Sequence, residues 1–153
     1  MALTSILETS TVTTVTSTET STIMPISCDG EVGNVTIPGT IITSPNFPNN
    51  YPNYQDCEML ITMPKGTLVL LDFLSLNIES SWWGLSCNDW LEVFDGSDAS
   101  VGTDRIGEKI CGNETPNQMA ASGNTLFISF RSNYAGSSAG FQIKVDVGMN
   151  LIF

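Results

Sequence analysis

The stretch CEMLITMPKGTLVLLDF, residues 57–73, decides the fold. Met59, Ile61 and Met63 alternate with Glu58, Leu60 and Thr62. A Pro64-Lys65-Gly66 turn follows, and then Val69, Leu71 and Phe73 share one face of a second run. Side chains on a strand point to opposite faces with a period of two, so the pattern predicts two half-buried strands joined by a turn. The same period returns downstream at Leu91 and Val93, at Leu126, Ile128 and Phe130, and at Phe141, Ile143 and Val145. Turn signals punctuate these runs: Pro38-Gly39, Ser44-Pro45-Asn46, Pro48-Asn49-Asn50-Tyr51-Pro52, Asp95-Gly96-Ser97, Cys111-Gly112-Asn113 and Ser122-Gly123-Asn124. No helical apolar stripe competes with this reading. Short strands at such spacing predict an all-β sandwich or barrel.

All four cysteines, Cys28, Cys57, Cys87 and Cys111, fall in this region, and the chain has no CxxC and no histidine. An even count without metal-ligand spacing argues for bridges and an oxidising compartment. Four cysteines permit three pairings. The sequential one closes loops of about 25–30 residues, each worth roughly 3–4 kcal/mol in the chain-entropy model. The folded unit is expected to begin near Cys28 and to span about 120 residues, enough for one core.

Residues 4–27, TSILETSTVTTVTSTETSTIMPIS, are dominated by serine and threonine. Such a composition buries too little apolar surface to offset its ordering entropy, so residues 1–27 read as a disordered linker or mucin-like stalk. Two alternatives are that it stays bare of glycans and that its β-branched residues pair as an added strand. Sequons at Asn34-Val35-Thr36 and Asn113-Glu114-Thr115 place candidate N-glycans on Asn34 and Asn113, on expected loops.

Sixteen acidic residues face five basic ones, for a net charge of −11. That field disfavours nucleic acid and anionic membranes and favours cations or basic protein surfaces. The chain has no apolar run of the roughly 18 residues a membrane span needs, so direct membrane insertion is not expected. Its start, MALTSILETS, lacks a basic and then apolar leader, so the reading expects a piece of a longer secreted or surface protein, or a misassigned start. Without histidine the common catalytic triads are excluded. The carboxylate pairs Glu79 with Asp89 and Asp95 with Asp98 are abundant-residue coincidences, and no enzyme activity is expected.

The order of landmarks completes the reading. Cys28, Gly39, Ser44-Pro45-Asn46-Phe47-Pro48, Tyr51-Pro52, Asp56-Cys57 and Pro64-Lys65-Gly66 are followed by Leu76-Asn77-Ile78-Glu79 and Cys87-Asn88-Asp89-Trp90-Leu91-Glu92-Val93. Then come Asp95-Gly96, Ile110-Cys111-Gly112, Ser122-Gly123-Asn124, Phe130-Arg131-Ser132 and Gly140-Phe141. Over about residues 28–147 this resembles a CUB domain, with residues 148–153 left as a tail. The resemblance implies a jelly-roll-like β-sandwich of two antiparallel sheets with sequential disulfides, Cys28 to Cys57 and Cys87 to Cys111. It also implies a non-catalytic extracellular binding module, secreted or part of an ectodomain.

The resemblance further implies a Ca2+ site on loops at one end of the sandwich: Tyr51 as the tyrosine that orients a carboxylate, Glu79 as the glutamate and Asp89 as the first aspartate. The second aspartate is replaced by Asn133, which offers an oxygen but no charge. Two carboxylates instead of three weaken the site. Where such a site is intact it accepts a lysine from a partner, so Tyr51, Glu79 and Asp89 are expected to meet exposed Lys or Arg of an extracellular protein. Trp82 and Trp83, adjacent in a loop, point to opposite sides if that loop is extended, one toward the core and one toward a partner; the alternative is that both pack against the end of the sandwich. Two other readings are a self-assembling glycosylated matrix or surface-coat component, and a carbohydrate-binding module using Trp82 and Trp83.

Overall fold

The computed structural model describes residues 20–100 and 104–149. They form ten strands: β1 (Ile23–Pro25), β2 (Gly33–Val35), β3 (Ile41–Thr43), β4 (Asp56–Thr62), β5 (Thr67–Asn77), β6 (Trp90–Asp95), β7 (Asp104–Arg105), β8 (Met119–Ala120), β9 (Thr125–Arg131) and β10 (Gly140–Met149). They make two five-stranded sheets, ordered β1-β3-β10-β5-β8 and β2-β4-β9-β6-β7. The alternating residues do what the period requires: Met59, Ile61, Val69, Leu71, Leu91, Val93, Ile143 and Val145 are all buried in one core between the sheets. Both bridges are sequential, Cys28–Cys57 and Cys87–Cys111.

The sheets are mixed rather than purely antiparallel, because each carries one parallel edge pair, β1 with β3 and β2 with β4. The second disulfide partner explains one of them. Ser27 bridges Glu58 in the antiparallel sense and Cys28 is tied to Cys57, so the chain turns back between Cys28 and Gly33 and β2 then runs alongside β4 in the same direction. The first strand also moves the boundary expected at Cys28. Ile23–Pro25 pairs with Ile41–Thr43, and Ile26 is buried in the core. The rest of the expected stalk, up to residue 19, lies outside the described residues. At the other end Gly148 and Met149, expected in a tail, complete β10, and residues 150–153 lie outside the described residues.

A bulge in β5 sets the approach to the loops that matter. Gln142 pairs with Ser75 but Ile143 with Phe73, so Leu74 is the extra residue. Odd residues face the core before it, Val69 and Leu71; even ones do after it, Leu76 and Ile78, and Leu74 is exposed. The end of β5 therefore enters its loop with Ile78 anchored inside.

Two poles result. The strands β3, β5 and β9 end, and β4, β6 and β10 begin, at one pole, as the pairs Gly140 with Asn77, Asp56 with Arg131 and Trp90 with Arg131 establish. At the other pole Met149 pairs with Thr67 and Thr62 with Thr125. Because β1 runs parallel to β3, the segment preceding it sits at this second pole, where the Ile41 N–H donates to the Thr22 carbonyl at 2.8 Å.

Candidate functional site

The first pole gathers Tyr51, Glu79, Asp89 and Asn133 from three loops, with Glu79 and Asp89 at the two ends of the β5–β6 connection. Tyr51 is 1% exposed; its ring meets Phe130 edge-on at 5.0 Å, and Phe130 in turn meets Phe141 at 5.3 Å. Its hydroxyl donates to Asp89 Oδ2 at 2.7 Å and accepts the Glu79 N–H at 2.9 Å. Asp89 is fully buried, and its Oδ1 accepts the Asn133 N–H at 2.7 Å. The Asp89 N–H donates to the Glu79 carbonyl at 3.1 Å. Tyr51 and Asp89 thus tie the loops after β3, β5 and β9 into one unit. Burial pushes the Tyr51 hydroxyl well above the ordinary tyrosine range, with the nearby Asp89 and Glu79 carboxylates adding to the effect.

Glu79 is the exception to this pairing. Its Oε2 is buried and has no hydrogen-bond partner. A buried carboxylate oxygen without a donor is costly, and it calls for an electrophilic partner. Gly136, in the left-handed region at φ 83°, lies so close that a Cβ there would overlap the Glu79 carboxylate. Asn133 Oδ1 accepts the Ala135 N–H at 2.9 Å, which shapes the turn that brings Gly136 over Glu79. Next to it Glu79, Ser80, Asn113 and Ser138 line a shallow cavity of about 340 Å³. Sequence reasoning missed Gly136 and Ser138. A single glycine carries no spacing signal, and Ser138 acts through its carbonyl, which accepts the Tyr51 N–H.

The donor set fits a cation in part. Glu79 Oε2 is free to ligate, and Asp89 retains a second lone pair on each oxygen. Among the described residues no group of three or more Asp, Glu, His or Cys could hold a metal. The neutral amide at Asn133 is the reason a third carboxylate is lacking.

Two expectations about contact residues change. Tyr51 and Asp89, expected to face a partner, are buried, because their polar atoms are spent on holding the loops. Neither tryptophan enters the core: Trp82 is 91% and Trp83 79% exposed. The reason is local. The Gly84 N–H donates to the Ser81 carbonyl, so the tryptophans occupy the two central positions of a β-turn rather than an extended segment, and Gly84 at φ 65° closes it. The turn is fastened by Ser81 N–H to the Ser86 carbonyl, Ser86 N–H to Ser81 Oγ and the Cys87–Cys111 bridge. Asn34 lies within β2, not in a loop, with its side chain exposed; Asn113 is exposed in the turn beside Glu79.

Comparison with known proteins gives these geometries a setting. The CUB domain family matches residues 28–145. The chain is 36% identical over 108 residues to cubilin of Canis lupus familiaris, covering 69% of this chain and 3% of cubilin. It is 35% identical over 107 residues to neuropilin-2 of Mus musculus, covering 69% of this chain and 11% of that protein. Among solved structures, the MASP-1 CUB2 domain bound to Ca2+ superposes with a TM-score of 0.63 at 26% identity, covering 74% of this chain and 96% of that one. The chain therefore spans a small fraction of its curated relatives and nearly all of an isolated domain.

Proposed function

The chain belongs to the CUB domain family, and from that premise we propose that it is an extracellular docking module whose Glu79 carboxylate, organised by calcium beside the buried Asp89, receives a Lys or Arg of a protein partner. CUB domains are extracellular protein-interaction modules, many of which bind calcium, and they are not enzymes. The observation that carries the reading is the buried, unpartnered Glu79 Oε2 beside an Asp89 already oriented by Tyr51. Calcium would be held by these two side chains with neighbouring neutral oxygens. It would supply the positive charge that lets two carboxylates face one another without repulsion. The loops are then held in the shape a cationic side chain meets, and charge-assisted bonds give the contact its orientation. On this reading residues 1–27 include a Ser/Thr-rich stalk, and Asn34 and Asn113 carry N-glycans on the exposed surface.

The test is the melting temperature of the oxidised domain in chelator and in about 5 mM calcium. A dissociation constant of about 0.1–1 mM corresponds to roughly 1–2 kcal/mol of added stability. Glu79→Gln should abolish the shift and Asn133→Asp should enlarge it. If calcium moves the melting temperature of none of these proteins, the metal-organised reading is wrong.

A further inference from the structure

Every strongly exposed aromatic side chain among the described residues, Tyr54, Trp82, Trp83 and Tyr134, lies at the pole of Glu79 and Asp89. The exposed apolar residues at the opposite pole, Ile23, Ile37 and Met149, are aliphatic and lie next to the segments that enter and leave the domain. Tyr54 sits on the loop before β4 with its N–H donating to the Asn133 carbonyl at 2.8 Å, and Tyr134 directly follows Asn133. Trp82 and Trp83 crown the turn between Glu79 and Asp89, and Leu85 beside them is 88% exposed. Contiguous exposed apolar surface is uncommon on a monomer, and Trp and Tyr are the side chains that dominate binding hot spots. Tyr54 also holds φ 57°, a conformation a bulky side chain rarely adopts, and here it keeps the ring outward.

We propose that this aromatic pole is a protein-docking surface in which the Trp82-Trp83-Leu85 turn enters an apolar pocket of the partner while a partner cation is received at Glu79. The second contact rests on the calcium-organised reading above; the first does not. Charge selects the occupant. The chain carries −11, so anionic bilayers and a second copy of this chain are repelled, although Arg105 and Lys109 lie with Glu108 beside Leu85. A surface presenting Lys or Arg next to aliphatic or aromatic side chains complements both features. The turn is also preorganised by its hydrogen bonds and by the Cys87–Cys111 bridge, which lowers the ordering cost of binding. Finally, β1 and β10 place both described chain ends at the far pole, away from the aromatic pole.

An array of 12-residue peptides tests this, each holding a central Lys or Arg with its neighbours varied through apolar, polar and acidic residues. Phosphatidylcholine vesicles run in parallel. The oxidised domain should bind peptides that pair the cation with an apolar neighbour. Trp82→Ala with Trp83→Ala should reduce that binding at least tenfold, and Ile37→Ala at the far pole should not change it. Binding that survives loss of both tryptophans overturns the proposal, as do absence of binding to any cationic-apolar peptide and tryptophan-dependent binding to the vesicles. Glu79→Gln separates the two readings. Trp-dependent binding that is untouched by Glu79→Gln keeps the aromatic pocket and removes the carboxylate contact; binding lost with Glu79→Gln alone does the reverse.

Discussion

The two poles of the sandwich solve the same problem, turning strands back, with different materials. At the far pole the turns are closed mostly by main-chain bonds: Thr67 N–H to the Pro64 carbonyl, Met63 N–H to the Asn124 carbonyl and Val69 N–H to the Gly123 carbonyl. At the near pole the loops hang on a buried tyrosine and a buried aspartate, with one oxygen of a second carboxylate, Glu79 Oε2, left unpaired. Burying charge is an expensive way to hold a loop when backbone bonds suffice a few strand-lengths away. The near pole carries a cost that stability does not require, and such exceptions to locally consistent design concentrate at functional sites.

The largest effect expected from this contrast comes from Asp89→Ala. It strips partners from the Tyr51 hydroxyl and the Asn133 N–H together and unties three loops. We expect a loss of about 3 kcal/mol in urea unfolding. A loss below about 1 kcal/mol would mean that water replaces the carboxylate and that the near pole is held as loosely as any surface loop.

Two glycines sharpen the comparison because they share a backbone conformation and differ only in surroundings. Gly66 at the far pole has φ 86° with open space where a Cβ would go, whereas a Cβ on Gly136 would collide with Glu79. Gly66→Ala should cost about 1 kcal/mol, the left-handed penalty alone. Gly136→Ala should cost about 2 kcal/mol and also remove any calcium-dependent shift, by displacing the Glu79 carboxylate. Equal costs and an unchanged calcium response would show that Gly136 does not press on the site.

How much of this was legible beforehand follows the same divide. The central strands announce themselves through a two-residue period because one of their faces is core, and the disulfides follow from the resemblance of the landmarks. The edge strands β1 and β2 are three residues each and escape any periodicity, so Ile23–Pro25 reads as stalk until its pairing with β3 is seen. At the site, Glu79 and Asp89 stand out in the sequence by their charge and their place among the landmarks, and the fold brings both to one pole. The inward burial of Tyr51, the close approach of Gly136 and the outward turn of Trp82-Trp83 depend on neighbours far apart in sequence. A β-turn and an extended pair have the same letters, and only the Ser81 to Gly84 hydrogen bond distinguishes them.

A smaller effect is expected on the alkaline side. The Tyr51 hydroxyl is raised above its ordinary value of 10.0, mainly by burial, so the folded state holds this proton where the unfolded state releases it. The contribution is complete below about pH 10 and is lost as pH rises beyond it, because there the unfolded chain binds fewer protons. Stability should fall by about 1 kcal/mol between pH 10 and 11 through this group. Tyr51→Phe, less stable at neutral pH because Asp89 Oδ2 and the Glu79 N–H lose a partner, should show a flatter alkaline limb. Parallel limbs in the two proteins would mean that the hydroxyl titrates as freely as one in solvent.

The smallest effect should come from the most conspicuous residues. Trp82 and Trp83 are among the largest side chains in the chain, and in a core their truncation costs roughly 3–5 kcal/mol. Here both project from a turn whose bonds are made by Ser81, Gly84 and Ser86, so neither side chain supports it. Alanine at either position should change the melting free energy by less than about 0.5 kcal/mol. That near-zero value is informative because it would be the mirror image of Asp89→Ala at the same pole: one residue hidden and indispensable to shape, the other displayed and dispensable to it. A loss of about 2 kcal/mol would place a tryptophan against the sandwich and remove it from the docking surface. An unchanged melt leaves two exposed indoles with no role in holding the fold, and their exposure is then explained by what they contact outside it.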